Sequence, residues 1–234
     1  MEKLIYIADD DKNIRELLQT FLESDGYEVR SFSTGDELLA EFSRYPSDLV
    51  ILDVMIPGKD GLTCCKELRS ISNIPIIILT AKDTELDYIQ GMTIGSDDYI
   101  TKPFRPTILL MKIKALLRRI EMDDKGSTER LIYGDLCYEP LKRILYCKKK
   151  QLELTKLEQQ VITYMMNMPE KVYSREEFLE KVWGYNEAVE SRVVDEMLRR
   201  VRKKLVSAKS IVTVSTVWGH GYQLKVMETY DEKN

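Results

Sequence analysis

The sequence predicts a doubly wound α/β domain with a parallel sheet, followed by a smaller α+β domain. Three observations carry that reading. Apolar runs alternate with helical periods up to residue 120, a polar stretch breaks the pattern at 121–129, and short strands without intervening helices follow it. At 234 residues the chain is long enough for two ordinary domains.

Leu4–Ala8 is the first apolar run. Ile14, Leu17, Leu18, Phe21 and Leu22 then follow the i, i+3, i+4, i+7, i+8 template of an amphipathic helix. Tyr27–Phe32, Leu49–Leu52 and Ile74–Leu79 read as further strands, and a short fifth, Asp98–Thr101, precedes Lys102-Pro103. Strands separated in this way pair in parallel through right-handed crossovers, and their unbroken hydrophobicity fits a sheet covered on both faces. The segment EMDDKGSTE, 121–129, has no apolar period and reads as a linker.

Beyond it, Leu131–Tyr138, Arg143–Cys147 and Gln151–Leu154 read as short strands. Thr155 with Glu158, and Ser174 with Glu177, carry the capping-box signature of helix starts. A third helix covers Val189 to Leu205, and the hairpin Ile211–Val217 and Tyr222–Val226 turns through Trp218-Gly219-His220-Gly221. The expected domains are therefore 1–120, a linker 121–129, a second domain 130–228 and a polar tail 229–234.

Composition narrows the function classes. No apolar run approaches the roughly 20 residues of a membrane-spanning helix, and Met1-Glu2-Lys3 lacks a signal-peptide pattern. The chain is expected to be cytoplasmic, without a membrane partner. The four cysteines form no CxxC pair and His220 is the sole histidine, so sulfur or imidazole metal sites are disfavoured and the thiols read as reduced. Neither GxxxxGK[ST] nor GxGxxG occurs.

In a parallel sheet, ligands bind outside the carboxyl ends of the strands. Here those ends carry Asp9, Asp10 and Asp11, then Asp53, Thr80 and Lys102. Converging carboxylates repel one another and raise each other's pKa unless a cation intervenes, and a hard divalent ion such as Mg²⁺ suits them. Asp53 is then a candidate nucleophile toward phosphorus, with a hydroxyl (Thr80) and an ammonium (Lys102) for the phosphoryl oxygens. Asp10 or Asp11 can alternatively cap the helix starting near Asn13.

These residues, set in LDVMIPGKDG, ILTA and the KPF triplet, make residues 1–120 resemble the receiver domain of two-component response regulators, a flavodoxin-like fold. The resemblance implies that Asp53 is the phosphoacceptor. It implies magnesium on Asp10, Asp53 and the Met55 carbonyl, with Asp9 acting through water, and phosphoryl contacts from Thr80 and Lys102. It also implies a cis peptide before Pro103. Tyr99 falls where the family has an aromatic switch, or is an ordinary packed tyrosine. The family's dimer face maps onto Asp97, Asp98, Lys112 and Arg119, while Tyr88 and Ile108 replace a basic residue and a glutamate that pair across the dimer.

In the second domain Val194, Leu198, Val201 and Leu205 make one buried stripe, and Arg192 to Lys209 holds seven basic residues against two acids. A helix anchored on one face and cationic on the other fits the major groove of DNA. YSREEFLEKVWG (173–184), VVDEMLRRVRKKL (193–205) and VSTVWGHGY (214–222) resemble the winged-helix effector domain of OmpR/PhoB-type regulators. The resemblance places Val193, Glu196, Met197 and Arg200 at base edges and Trp183, Arg192, Arg199, Arg202 and Thr216 at phosphates. Glu196 accepts from cytosine N4 or pairs with Arg199 or Arg200 along the helix. Trp218 stands where many relatives have arginine, and either packs or stacks on sugar.

The implied function is a transcription factor rather than an enzyme. A sensor histidine kinase would phosphorylate Asp53, the receiver would dimerise, and two winged helices would bind tandem half-sites on double-stranded DNA, with RNA polymerase as a further partner. A haloacid-dehalogenase-type phosphatase needs an acid two residues after its nucleophile, where this chain has Met55. A regulator of the same build acting without phosphorylation is the alternative, and the complete pocket argues against it.

Overall fold

A computed structural model describes residues 3–81, 95–122, 129–184 and 192–227. The chain divides into two compact units, Met1–Leu117 and Arg118–Asn234.

In the first unit the strands are β1 (Leu4–Ala8), β2 (Glu28–Phe32), β3 (Leu49–Asp53), β4 (Ile76–Thr80) and β5 (Asp98–Thr101), all parallel in the order β2-β1-β3-β4-β5. Helices α1 (Lys12–Glu23), α2 (Gly35–Arg44), α3 (Gly61–Ile71) and α4 (Pro106–Met122) accompany them. Each of the first three starts at a side-chain cap: Asp11, Thr34 and Asp60 accept from Asn13, Glu37 and Thr63 N–H groups. Ile5, Ile7, Leu49 to Leu52 and Ile76 to Leu79 are wholly buried, and each such side chain contributes about 1.5–3 kcal/mol by leaving water. The strand order reverses between β1 and β3, so the crevice opens beside Asp9 and Asp53.

Three charges expected on a dimer face belong instead to this core. Asp97 accepts from Arg69 Nη2 at 2.6 Å and from the Ile76 N–H at 2.9 Å. Arg69 also donates to the Gly95 and Ile74 carbonyls, so it clips α3 to the strand ends. Asp98 pairs with Lys112 at 3.1 Å, with side chains 1% and 3% exposed. The expectation for Asp97, Asp98 and Lys112 is corrected: these charges are buried because each has its partner inside the same unit. Ile108 on α4 is half-buried. Tyr88 and the Arg119 side chain lie outside the described residues.

The second unit opens with an antiparallel sheet, β6 (Leu131–Tyr133), β7 (Leu136–Glu139), β8 (Ile144–Cys147) and β9 (Lys150–Gln151), in chain order. The single strand expected over 131–138 is two, because Tyr133 pairs with Leu136 across a Gly134-Asp135 turn. Cys147 pairs with Lys150, so Lys148 and Lys149 form a two-residue turn with φ of 48° and 68°. Type I′ turns need positive φ twice and favour Asn-Gly; a lysine there is strained. Replacing Lys148-Lys149 by Asn-Gly is expected to raise stability by about 1 kcal/mol, read as a higher denaturant midpoint.

Helix α5 (Lys156–Met166) begins in the predicted capping box, with Thr155 and Glu158 bonded reciprocally. Helix α6 (Arg175–Phe178) widens into a π-helical turn over Leu179–Trp183. Helix α7 (Arg192–Ser207) and the hairpin β10 (Val212–Val217) and β11 (Gly221–Val226) complete the unit. Gly221 has φ +135°, and a Cβ there would meet the Tyr173 carbonyl oxygen at 2.0 Å. That close approach lets Tyr173 and Tyr222 exchange backbone bonds of 2.8 and 2.9 Å, which anchor the turn end of the hairpin.

Candidate functional site

At the carboxyl edge of the parallel sheet, Lys102 Nζ lies 2.6 Å from Asp9 Oδ2 and 2.6 Å from Asp53 Oδ2. Asp9, Asp10 and Asp53 each offer an oxygen within 4.8 Å of the others. An all-oxygen set with three carboxylates suits a hard divalent cation. Asp9, Asp53 and Thr80 are buried, and Asp10 faces solvent. Burial pushes the Asp9 carboxyl above its usual range, against the opposing bond from Lys102. Burial alone would depress the Lys102 ammonium, but its bonds to Asp53 and Asp9 raise it on balance.

The loops around the pocket are held by specific bonds. Asp9 Oδ1 accepts from the Asp11 N–H at 3.0 Å, and Asp11 caps α1. Arg15, one turn into α1, donates to the carbonyls of Asp9 and Asp10 at 2.6 and 2.9 Å. No sequence signal marks Arg15 for that task, since its acceptors are main-chain. The Met55 N–H donates to Asp53 Oδ1 at 3.2 Å. Gly61 opens α3 against the Asp53 main chain; a Cβ there would stand 2.0 Å from the Asp53 carbonyl oxygen. Tyr99 is buried on β5, and the Lys102–Pro103 peptide is cis.

The basic helix differs from expectation. Val194, Leu198, Val201 and Leu205 are buried as the stripe requires, but so are Val193, Met197 and Arg200. Arg200 is 6% exposed, with Nε 3.8 Å from Glu158 Oε1 on α5 and Nη2 donating to Met197 Sδ. Lys204 bonds Glu158 too. Base-side assignments for Val193, Met197 and Arg200 are therefore corrected to packing. Glu196, also buried, pairs with Arg199 along the helix, the second of its two readings. Trp183 is wholly buried at the end of the π-helical turn and not available to a phosphate, a further correction.

On the exposed side of α7 stand Arg199 and Lys203, with Arg202 half-buried. Arg202 Nε donates to the Val214 carbonyl at 2.7 Å, and its Nη2 lies 3.5 Å from Thr216 Oγ1, joining helix to hairpin. Trp218, at the hairpin turn, is 89% exposed. The Arg192 side chain lies outside the described residues.

These positions give the arginines separable expectations. Arg200→Ala should destabilise the fold by about 1–3 kcal/mol and weaken selected and random DNA alike. Arg199→Ala should cost less than about 1 kcal/mol of stability and lower the salt slope of DNA binding by about one. Urea titration and filter binding across a salt series check both.

A family model described as the response regulator receiver domain matches residues 5–114, and one described as transcriptional regulatory protein, C terminal, matches residues 149–224. The transcriptional regulatory protein ResD of Bacillus subtilis (strain 168) is 35% identical over 232 residues, covering 96% of this chain and 97% of ResD. The alkaline phosphatase synthesis transcriptional regulatory protein PhoP of the same strain is 38% identical over 234 residues, covering 96% and 98%. Among solved structures, a RitR mutant is similar with a TM-score of 0.76 at 25% identity, over 95% of this chain and 99% of that one. DrrB, described as a Thermotoga maritima OmpR/PhoB homolog, has a TM-score of 0.52 at 30% identity, over 96% and 100%. No described helix is long and apolar enough to cross a membrane.

Proposed function

The chain belongs to the OmpR/PhoB family of two-component response regulators, a receiver domain followed by a DNA-binding domain, and from that premise we propose that Asp53 is its phosphoacceptor. The observation that carries the reading is Lys102, bonded at 2.6 Å to both Asp9 and Asp53 at the mouth of the sheet. A carboxylate oxygen of Asp53 attacks the phosphorus of a sensor histidine kinase's phosphoimidazole; the new O–P bond forms as the bond to the donor nitrogen breaks. Lys102 is already ammonium and within reach, so it moves from carboxylate to phosphoryl oxygen without a proton transfer. Thr80, at the end of the neighbouring strand, supplies a hydroxyl to a second oxygen. Asp10, Asp53 and the Met55 carbonyl, with Asp9 through water, would hold Mg²⁺, whose charge offsets that of the incoming group.

Phosphorylation then drives dimerisation and binding of tandem half-sites, with RNA polymerase as the downstream partner. Arg199, Arg202, Lys203 and Thr216 are the surface groups best placed for DNA phosphates. Tyr99 is the candidate relay between Thr80 and the dimer surface. The reading is tested by incubating the full chain with a small-molecule phosphodonor and Mg²⁺. One phosphoryl group per chain, mapped to the peptide containing Asp53, is the expected result; label on any other residue refutes it.

A further inference from the structure

Of the three carboxylates that converge at the sheet edge, Asp9 and Asp53 are buried and Asp10 alone faces solvent. Asp9 is aimed by its own bonds, Oδ1 taking the Asp11 N–H and Oδ2 the Lys102 ammonium. Asp10, exposed, takes its direction from the backbone that carries it.

Arg15 holds that backbone. Its Nη1 donates to the Asp9 carbonyl at 2.6 Å and to the Asp10 carbonyl at 2.9 Å. Those two oxygens belong to the peptide planes on either side of the Asp10 Cα. Peptide units are planar, so the chain at one residue has only φ and ψ to vary. A single nitrogen bonded to both planes restricts φ and ψ at Asp10, and with them the direction of its Cα–Cβ bond. Both hydrogens of Nη1 go to main-chain oxygens, so these bonds occupy no carboxylate oxygen that a cation would need.

The position of Arg15 is costly for the helix. It stands half-buried one turn into α1, near the positive end of the helix dipole, where a cation is disfavoured. The first turn of α1 also lacks an acid, whereas that of α2 has Asp36 and Glu37. The guanidinium serves the loop in front of the helix rather than the helix itself.

We infer that Arg15 is a positioning residue for the divalent-cation site: by tying together the two peptide planes around Asp10, it aims the Asp10 carboxylate toward Asp9 and Asp53. The inference rests on the reading of Asp10 as a cation ligand.

The test is calorimetric titration of the full chain with Mg²⁺, without phosphodonor, on variants shown by urea unfolding to be folded. Arg15→Ala should bind Mg²⁺ about tenfold or more weakly, the usual cost of losing a group that orients a metal ligand. By charge alone, removing a cation beside the site would tighten binding, so the sign separates positioning from repulsion. Arg15→Lys should recover part of the loss, since an ammonium can donate to both carbonyls. In an Asp10→Ala background, Arg15→Ala should cost less than about twofold more, because the carboxylate it aims is gone. Arg15→Ala binding within twofold of wild type, binding more tightly, or losing equally in both backgrounds overturns the inference alone. Equal Mg²⁺ binding by wild type and Asp10→Ala overturns the reading of Asp10 as a ligand, and the inference with it.

Discussion

Asp53→Asn is expected to leave the protein folded and wholly unable to take up a phosphoryl group. The amide keeps the shape of the carboxylate but has no anionic oxygen to attack phosphorus. Lys102 keeps Asp9 as a partner at 2.6 Å, so the pocket is not left with an uncompensated ammonium. Intact-mass measurement after treatment with phosphodonor and Mg²⁺ should show one added phosphoryl group on wild type and none on the variant. The phosphodonor should also cease to increase DNA affinity. A variant that gains the mass of a phosphoryl group would place the acceptor elsewhere.

Lys112→Met should produce the largest loss of stability, about 3–5 kcal/mol, because it deletes the cation paired with a buried carboxylate. Asp98 is 1% exposed and also accepts the Tyr99 N–H at 2.8 Å, so it cannot turn out to water without giving up a backbone bond. Combining Lys112→Met with Asp98→Asn should restore much of the loss, since a neutral amide keeps the acceptor and needs no counter-charge. Urea unfolding of the full chain gives the comparison. A cost below about 1 kcal/mol for the single variant would mean that the pair is open to solvent and free for a partner chain.

The pocket was legible because its chemistry is tied to strand ends, and strand ends can be found from apolar runs alone. Asp53 and Thr80 close β3 and β4, and Asp9 and Lys102 follow β1 and β5 directly. The basic helix was less legible. A stripe at 194, 198, 201 and 205 describes contact with one neighbour, whereas α7 also packs beside α5, where Arg200 meets Glu158, and Val193 and Met197 are buried as well. Val193 and Met197 carry a local sign of this, being apolar beside the stripe. Arg200 carries none, because the carboxylate that holds it belongs to another helix. Asp97, Asp98 and Lys112 misled for the same reason: a charge reads as surface until its partner across the fold is known. The break of strand 131–138 was readable in Gly134-Asp135, a turn dipeptide between two apolar runs.

The pocket joins the first strand of the receiver to the residue after its last, Asp9 to Lys102, 93 positions apart in the chain. Parallel strands cannot pair until the crossover between them has been made, and contacts so distant in sequence form late. While the chain is being synthesised from its N-terminus, the acids therefore exist long before the lysine that organises them. A nascent or truncated receiver has the carboxylates but not the lysine that joins Asp9 to Asp53. If Asp53 is the phosphoacceptor as proposed, competence to take up a phosphoryl group arrives together with completion of the domain.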